Sequence, residues 1–280
     1  IAEKLWDNIR LGIKKDNRKI QHHERESSYK FFMKIAAVLI PLLLIGYVYF
    51  QQQSIVVNTI PEEAVSIKKV NPSGKKTQFT LSDGTRVFLN SNSNLTYSSH
   101  FNDEIIRKVK LKGEAFFIVK RDEQRPFIVE SGKLQTQVLG TAFNVRAFDY
   151  EDAITVSVEE GRVQLQNKTK SDLGEHLILQ QSDMGVFEKK AQSLEKLSFD
   201  GSEVFDWRNG IIHFKRADFQ EIKRTLEQWY GVSFEIERTI DSKKDFTGSY
   251  PNKPLSTVLD GLKFVYDFNY EINNKIITIN

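Results

Sequence analysis

The first pattern along the chain is a continuous apolar run from Phe31 to Phe50, in which Lys34 is the only charged residue. About 20 residues of α-helix rise about 30 Å, which is the thickness of one hydrocarbon core. The run therefore predicts a single-pass membrane helix over residues 31–50. Residues 51–69, which mix polar and apolar positions and include Pro61, indicate a periplasmic tether.

The two flanks of this run differ in charge. Lysines and arginines are frequent upstream, whereas no lysine or arginine occurs from Gln51 to Val65. The positive-inside rule then places residues 1–30 in the cytoplasm as a tail, anchors the chain in the bacterial inner membrane and puts its C-terminus in the periplasm. A cleaved signal peptide is the alternative, but its basic region would be unusually long and no A-x-A-like site follows the run.

From residue 70 the pattern changes to short alternating runs, such as Arg86–Leu89 and Ala142–Ala147. Turn signals, among them Ser82-Asp83-Gly84 and Lys112-Gly113, separate these runs. Many short strands with regular turn signals indicate an all-β domain. Residues 70–200 are therefore predicted to form an antiparallel domain, either solenoid-like or sandwich-like.

Residues 205–280 alternate between strand and helix patterns. Asp218 and Glu221 form a capping box at the start of one helix, and Gly231 suits the end of that helix. Pro254 opens a second helix. The predicted order is β-α-β-β-α-β-β, a small α+β domain with two helices on one face of a sheet.

The amino-acid composition excludes several classes of function. The chain has no cysteine, which excludes a disulfide scaffold, a thiolate metal site and a cysteine nucleophile. Residues 1–50 hold 9 of the 40 Lys+Arg and 5 of the 37 Asp+Glu, so the rest carries 31 basic and 32 acidic residues. A near-neutral main part gives no electrostatic reason to expect nucleic-acid binding. No phosphate loop or metal-ligand cluster is visible, and no cofactor is predicted.

Four stretches, in this order and spacing, resemble the FecR domain: Leu81–Asn90, Lys112–Val119, Pro126–Val129 and Val138–Val145. The last 70 or so residues are similar to the C-terminal domain of Bacteroidetes-type FecR proteins, which itself resembles the short N-terminal domain of secretins and TonB-dependent receptors. One departure is local: Leu179–Asp183 stands where family members often have a Leu-x-Pro-Gly-Gln-like turn.

The resemblance implies a transmembrane anti-sigma factor. Such a protein holds an extracytoplasmic-function (ECF) sigma factor in the cytoplasm and senses the signalling domain of an outer-membrane TonB-dependent receptor. Regulated proteolysis, with a membrane-embedded protease as a partner, then releases the sigma factor. Trp6 and the basic segment around it resemble the end of the sigma-binding region. The competing interpretation is a membrane-anchored periplasmic carbohydrate- or peptide-binding module without a regulatory role.

Gly140-Thr141 is the most specific candidate for a reactive site, because the resemblance implies that some family members cleave themselves between these two residues. A threonine hydroxyl would attack the preceding carbonyl, and water would open the resulting ester. The step needs a strained peptide and an activated hydroxyl. The alternative is that Gly140 forms a bulge and Thr141 pairs across strands. Apart from this possible self-cleavage, the chain is not predicted to be an enzyme.

Three further features can be interpreted either as functional sites or as ordinary structural features. An open sheet edge could accept a partner strand, and the candidates are Phe246, Thr247, Gly248, Ser249 and Tyr250, together with Lys275–Ile279. Adjacent histidines such as His22-His23 do not face each other on a helix, so a solvated surface is favoured over a metal pair. Glu114 lies in an apolar run, where a buried, hydrogen-bonded acid is favoured over a functional one.

Overall fold

The computed structural model describes residues 26–53, 65–169, 176–199, 203–240 and 244–280. The chain divides into two compact units, Ile1–Glu63 and Ala64–Asn280. In the first unit the described residues form helix α1 (Glu26–Gln53). Trp6, His22-His23 and most of the predicted tether lie outside the described residues.

Helix α1 contains the apolar run, but the prediction of a single-pass membrane helix was wrong. Among the described residues, no helix is both long enough and apolar enough to span a bilayer. The compartments predicted for the flanking parts stay predictions.

The second unit begins with thirteen strands: β1 (Ser66–Asn71), β2 (Thr77–Thr80), β3 (Arg86–Leu89), β4 (Ser93–Ser98), β5 (Arg107–Ile118), β6 (Phe127–Ser131), β7 (Leu134–Val138), β8 (Ala142–Ala147), β9 (Ala153–Glu160), β10 (Arg162–Asn167), β11 (His176–Gln180), β12 (Asp183–Glu188) and β13 (Ser193–Ser198). They form one hydrogen-bonded sheet that folds into two facing layers. The first layer contains β1, β4, β6, β7, β10 and β11, and the second contains β2, β3, β8, β9, β12 and β13.

Strand β5 joins the two layers. Its first half pairs with β4 and β6, and its second half pairs with β3 and β8. Gly113, at the change between the halves, has φ +95°, and a side chain there would collide with Ser93. Lys112-Gly113 is therefore a bend within one strand, and the prediction of a turn between two strands was wrong. The β5–β6 pair is parallel, unlike the predicted antiparallel arrangement.

The core of this sandwich lies between the layers and contains Phe117, Phe143 and Leu165, all fully buried. Burial of such side chains contributes about 1.5–3 kcal/mol each. At the edge of the core, the carboxylate of Asp83 accepts hydrogen bonds from the Thr85 backbone and hydroxyl and forms an ion pair of 2.8 Å with Arg107. This buried pair fixes the turn between β2 and β3.

The C-terminal part contains a 3-10 helix (Asp206–Asn209), β14 (Ile211–Ala217), α2 (Phe219–Tyr230), β15 (Ser233–Ile236), β16 (Phe246–Pro251), α3 (Leu255–Tyr266), β17 (Tyr270–Asn273) and β18 (Ile276–Ile279). The element order matches the predicted one, but the strands form two sheets, β14–β16 and β15–β18–β17, where a single sheet was expected. Asp218 caps α2 by accepting from the Glu221 N–H at 2.8 Å, and Gly231 ends it with φ +69°.

Both small sheets and both helices share one core, so the division into two sheets does not divide the domain. Ile212 from the first sheet, Leu226 and Leu259 from the two helices and Ile277 from the second sheet are buried together. The register of β14 and β16 shifts between Phe214 and Ala217. Pairing resumes at Ala217 and Phe246, so the shift is a bulge that bends β14 within its own sheet.

Candidate functional site

The β sandwich and the C-terminal part are joined by direct hydrogen bonds. The Gly74 N–H donates to the Gln228 carbonyl at 2.8 Å, and the Gln228 side-chain amide donates to the Ser91 carbonyl at 3.0 Å. The Tyr150 hydroxyl donates to the side-chain oxygen of Gln228 at 2.9 Å. A side chain on Gly74 would come within 3.1 Å of Gly231, so the two backbones approach closely there. Helix α2 is therefore fixed to the sandwich through one glutamine.

The 3-10 helix makes the second connection. Trp207 is buried, and its indole N–H donates to the side-chain oxygen of Asn144 at 3.2 Å. The guanidinium of Arg208 lies 3.6 Å from the ring centre of Phe116 and donates to Glu159 at 2.6 Å. A cation over an aromatic face in a partly buried site contributes about 0.5–2 kcal/mol. This segment thus contacts the outer face of the second layer through both apolar and charged groups.

A buried carboxylate, Glu114, lies at the centre of this contact and is 4 % exposed. Its oxygens accept hydrogen bonds from the Asn90 amide (2.8 Å), the Asn144 amide (2.9 Å) and the Arg146 guanidinium (3.0 Å). Arg146 also pairs with Glu151 at 2.5 Å. Burial acts to lower the pKa of Arg146, but the Glu114 and Glu151 carboxylates raise it above its ordinary value. Glu114 is therefore the buried, hydrogen-bonded acid that the sequence favoured.

A lysine at the same contact has an altered pKa. The Lys76 amine lies 2.8 Å from the ring centre of Trp229. Burial lowers the pKa of Lys76 to about 8, although the negative charge of Glu114 acts in the opposite direction. Burial therefore makes Lys76 easier to deprotonate than an ordinary surface lysine, whereas the contact with the Trp229 ring favours its charged form.

Among the described residues, no three side chains of His, Cys, Asp or Glu are clustered as ligands.

Gly140-Thr141 lies at the crossing from β7 to β8. The Thr141 hydroxyl donates to the Arg162 carbonyl at 2.7 Å, and the register of β8 and β9 shifts at Ala142. Gly140 lacks a positive φ, but a side chain on it would come within 2.6 Å of the Arg121 backbone. A carbonyl oxygen is too weak a base to activate the hydroxyl. The register shift lies between Ala142 and Phe143, so Gly140 does not form the bulge, and Thr141 precedes the paired strand. Self-cleavage stays a prediction.

The predicted partner strand is β16. Among the described strands, β14 is its only neighbour, so one edge of β16 is open. Thr247 and Ser249 are exposed, whereas Phe246 is buried in the core. The second candidate edge, Lys275–Ile279, was wrong, because β18 lies between β15 and β17 and has strand partners on both sides.

Comparison with known proteins agrees with this two-part organisation. Residues 69–164 match the family described as FecR protein, and residues 211–279 match the family described as FecR, C-terminal. The chain therefore belongs to the FecR family. A search of curated proteins found no match.

Two crystal structures of a candidate anti-sigma factor from Parabacteroides distasonis ATCC 8503 are similar to this chain. The first, at 1.65 Å resolution, has 28% sequence identity and a TM-score of 0.66, and covers 76% of this chain and 98% of its own. The second, at 2.50 Å, has 27% identity and a TM-score of 0.66, and covers 77% and 98%. Together with the family matches, these structures support an anti-sigma factor role.

Sequence reasoning missed the partners of Glu114 and the role of Gln228. The bonds from Asn90 and Asn144 to Glu114 span 24 and 30 residues, and the bond from Gln228 to Ser91 spans 137. The available signal was an acid within an apolar strand, because a buried acid requires several donors. Nothing in the sequence indicated which donors those are.

Proposed function

We propose that this chain is an anti-sigma factor that relays the state of an outer-membrane TonB-dependent receptor to an ECF sigma factor, with regulated proteolysis as the releasing step. The N-terminal segment that contains Trp6 binds the sigma factor, and the C-terminal part contacts the signalling domain of the receptor. The main support for the proposal is that both folded parts match FecR domains. The hydrogen bonds around Glu114, Asn144, Trp207 and Gln228, called the Glu114 contact from here on, join the two parts into one compact unit.

The joined unit gives the relay a physical basis. A receptor bound to the C-terminal part would act on the whole sandwich, because Gln228 and Trp207 connect the two parts. The chain enters the sandwich at Val65, which makes two hydrogen bonds to Ser99, of 2.8 and 3.1 Å. It continues into β1, which pairs only with β4 among the described strands. Because β1 has one strand neighbour, a force on the folded unit would detach β1 first and expose this part of the chain to a protease.

The sigma-binding step is tested with the full chain and its ECF sigma factor co-expressed in one cell. We expect the sigma factor to co-purify with the full chain and to be lost when residues 1–30 are removed. Trp6→Ala should weaken the complex, whereas the nearby Asn8→Ala is the matched control. Equal recovery of the sigma factor with the full and the truncated chain would reject the proposal.

The receptor-binding step is tested at the open edge of β16. Lysine on an edge strand blocks the addition of a further strand, so Thr247→Lys combined with Ser249→Lys should abolish binding of the receptor signalling domain in a titration. Ser233→Lys, at an exposed serine of β15, is the control and should leave binding unchanged. If the double variant binds as well as the unaltered chain, the receptor contacts another surface.

A further inference from the structure

A groove of about 830 Å³ lies across the ends of β7, β10 and β11, where the crossing to β8 and the turn before β10 also line it. Its volume is in the range of sites that hold small molecules or short peptides. None of its lining residues belongs to the Glu114 contact. The groove is therefore a second feature of the sandwich, and the proposed relay does not use it.

A row of glutamines lines the groove, and the amide of one of them, Gln164, hydrogen-bonds the His176 ring nitrogen at 3.2 Å. Gln164 on β10 is paired in register with Gln137 on β7 and with Ile178 on β11, and Arg162 is paired with Gln180. Residues paired in this way project on the same face of a sheet. Each glutamine amide both donates and accepts hydrogen bonds. The row thus suits a ligand that alternates donors and acceptors, as an extended peptide backbone does.

The charged side chains that line the groove are all positive. Arg121 and Arg162 line it, and no aspartate or glutamate does. Arg121 pairs with Glu123 at 2.6 Å, but both side chains are largely exposed, so water screens that pair. Among the ion pairs of the described residues, none involves Arg162. Arginines of this kind favour carboxylates, which they bind through two parallel hydrogen bonds.

The apolar part of the groove is aliphatic. Leu139 is 43 % exposed and Ile178 is 48 % exposed, although both are large apolar side chains. No aromatic residue is among the lining residues. Sugar rings are commonly stacked on aromatic side chains, whereas aliphatic side chains of a peptide need only an aliphatic surface. The lining therefore favours a peptide over an oligosaccharide.

The outer edge of β11 is closed to an added strand. The Lys196 amine contacts the Ile178 carbonyl at 3.4 Å, and the Asp183 carboxylate accepts from the Gln180 N–H at 2.7 Å. Lys196 and Asp183 pair with each other at 2.6 Å. Because this ion pair occupies edge groups of the backbone, a ligand would lie on the side chains of the groove and would not extend the sheet.

We propose that this groove binds an extended acidic peptide, with carboxylates at Arg121 and Arg162, backbone groups on the glutamine row and an aliphatic side chain against Leu139 and Ile178. The ligand is an addition to the sigma factor and receptor of the proposed function and does not depend on them. Binding of this peptide would give the β sandwich a ligand that is separate from the proposed receptor.

The test uses the full chain and the probe peptide Glu-Leu-Glu-Leu-Glu-Leu in a calorimetric or fluorescence titration at low salt. We expect saturable binding that weakens as salt is raised, because the pairing is electrostatic. Arg162→Gln should weaken binding about tenfold, and Arg121→Gln should weaken it by a similar factor. Arg86→Gln, at an exposed arginine of β3 outside the groove, is the matched control and should leave affinity unchanged.

Two comparison ligands make the result decisive. The peptide Lys-Leu-Lys-Leu-Lys-Leu and a neutral hexasaccharide should both fail to saturate. Equal binding of the lysine peptide, tighter binding of the hexasaccharide, the same loss with Arg86→Gln, or no saturation by the acidic peptide at millimolar concentration would each overturn the proposal. Circular dichroism of each variant confirms that it is folded.

Discussion

The Glu114 contact and the groove on β7, β10 and β11 are built from the same residue types but use them differently. At the contact, the carboxylate of Glu114 is surrounded by two amides and a guanidinium, and Arg146 has a second carboxylate partner. In the groove, Gln180 and Arg162 are exposed; among the described residues, the Gln164 amide has only His176 as a partner, and no acidic residue lines the surface. Polar side chains that satisfy one another hold a structure, whereas those left with solvent are available to a partner.

Burial explains why the energetics of the two regions differ. A buried charge is tolerated only when it is paired and hydrogen-bonded. Removing one partner of a buried ion pair leaves the other charge without compensation in the low-dielectric interior. Exposed charges are screened and contribute little to stability. Substitutions at the contact should therefore change the free energy of unfolding, and substitutions in the groove should change ligand binding alone.

The largest effect is expected for Glu114→Ala, which leaves two buried amides without their acceptor and leaves Arg146 with Glu151 as its remaining carboxylate partner. We expect the free energy of unfolding to fall by about 3–5 kcal/mol, because each buried polar group left without a partner costs about 1–3 kcal/mol, and denaturant titration measures this loss. Glu123→Ala removes an exposed carboxylate from an ion pair and should cost less than about 1 kcal/mol. Comparable losses for the two variants would mean that the buried network is not the stabilising feature.

A loss of about 3 kcal/mol is expected for Trp207→Ala, because the buried indole fills the space between the two folded parts. Trp207→Phe keeps most of this packing but leaves the Asn144 oxygen without its donor, so it should cost about 1–2 kcal/mol. Thermal unfolding measures both. A phenylalanine variant as damaged as the alanine variant would show that the hydrogen bond, and not the packing, dominates.

A smaller effect concerns Lys76 and the dependence of stability on pH. Its pKa is about 8 in the folded chain, against an ordinary value of 10.5. Between these values the unfolded chain binds more protons, so this group makes stability rise as pH increases from about 8 to about 10.5 and adds no pH dependence well below 8. The difference in unfolding free energy between Lys76→Met and the unaltered chain should change over this range. A constant difference would contradict the shifted pKa.

The smallest effect is expected for Arg162→Gln. Its side chain is exposed and outside every ion pair of the described residues, so the free energy of unfolding should change by no more than about 0.5 kcal/mol. The same variant is expected to lose affinity for the acidic peptide, which separates binding from stability. A clear loss of stability would place Arg162 among the residues that hold the fold.

Local features of the fold were predictable because their causes lie within a few residues. Asp218 caps its helix through the N–H three positions later, and Gly231 ends that helix with a positive φ, as the sequence indicated. Gly113 was misinterpreted, because a glycine that turns the chain and a glycine that lets a strand bend against Ser93 have the same local sequence. Only the pairing of β5 with strands in both layers separates the two cases.

The two regions compared above were less predictable. Glu114 was recognised as a buried acid from its apolar neighbours, but its donors come from strands whose pairing is set by the whole sheet. The glutamine row in the groove depends on the register of three strands, which alternation alone does not fix.

The central claim, that the chain is an anti-sigma factor, is tested most directly by transcription from a promoter that the proposed ECF sigma factor recognises. Transcript levels are compared in cells with the full chain, without it, and with the chain lacking residues 1–30. We predict low transcription with the full chain while the proposed receptor is inactive, and high transcription in the other two strains. Equal transcription in all three strains would contradict the account.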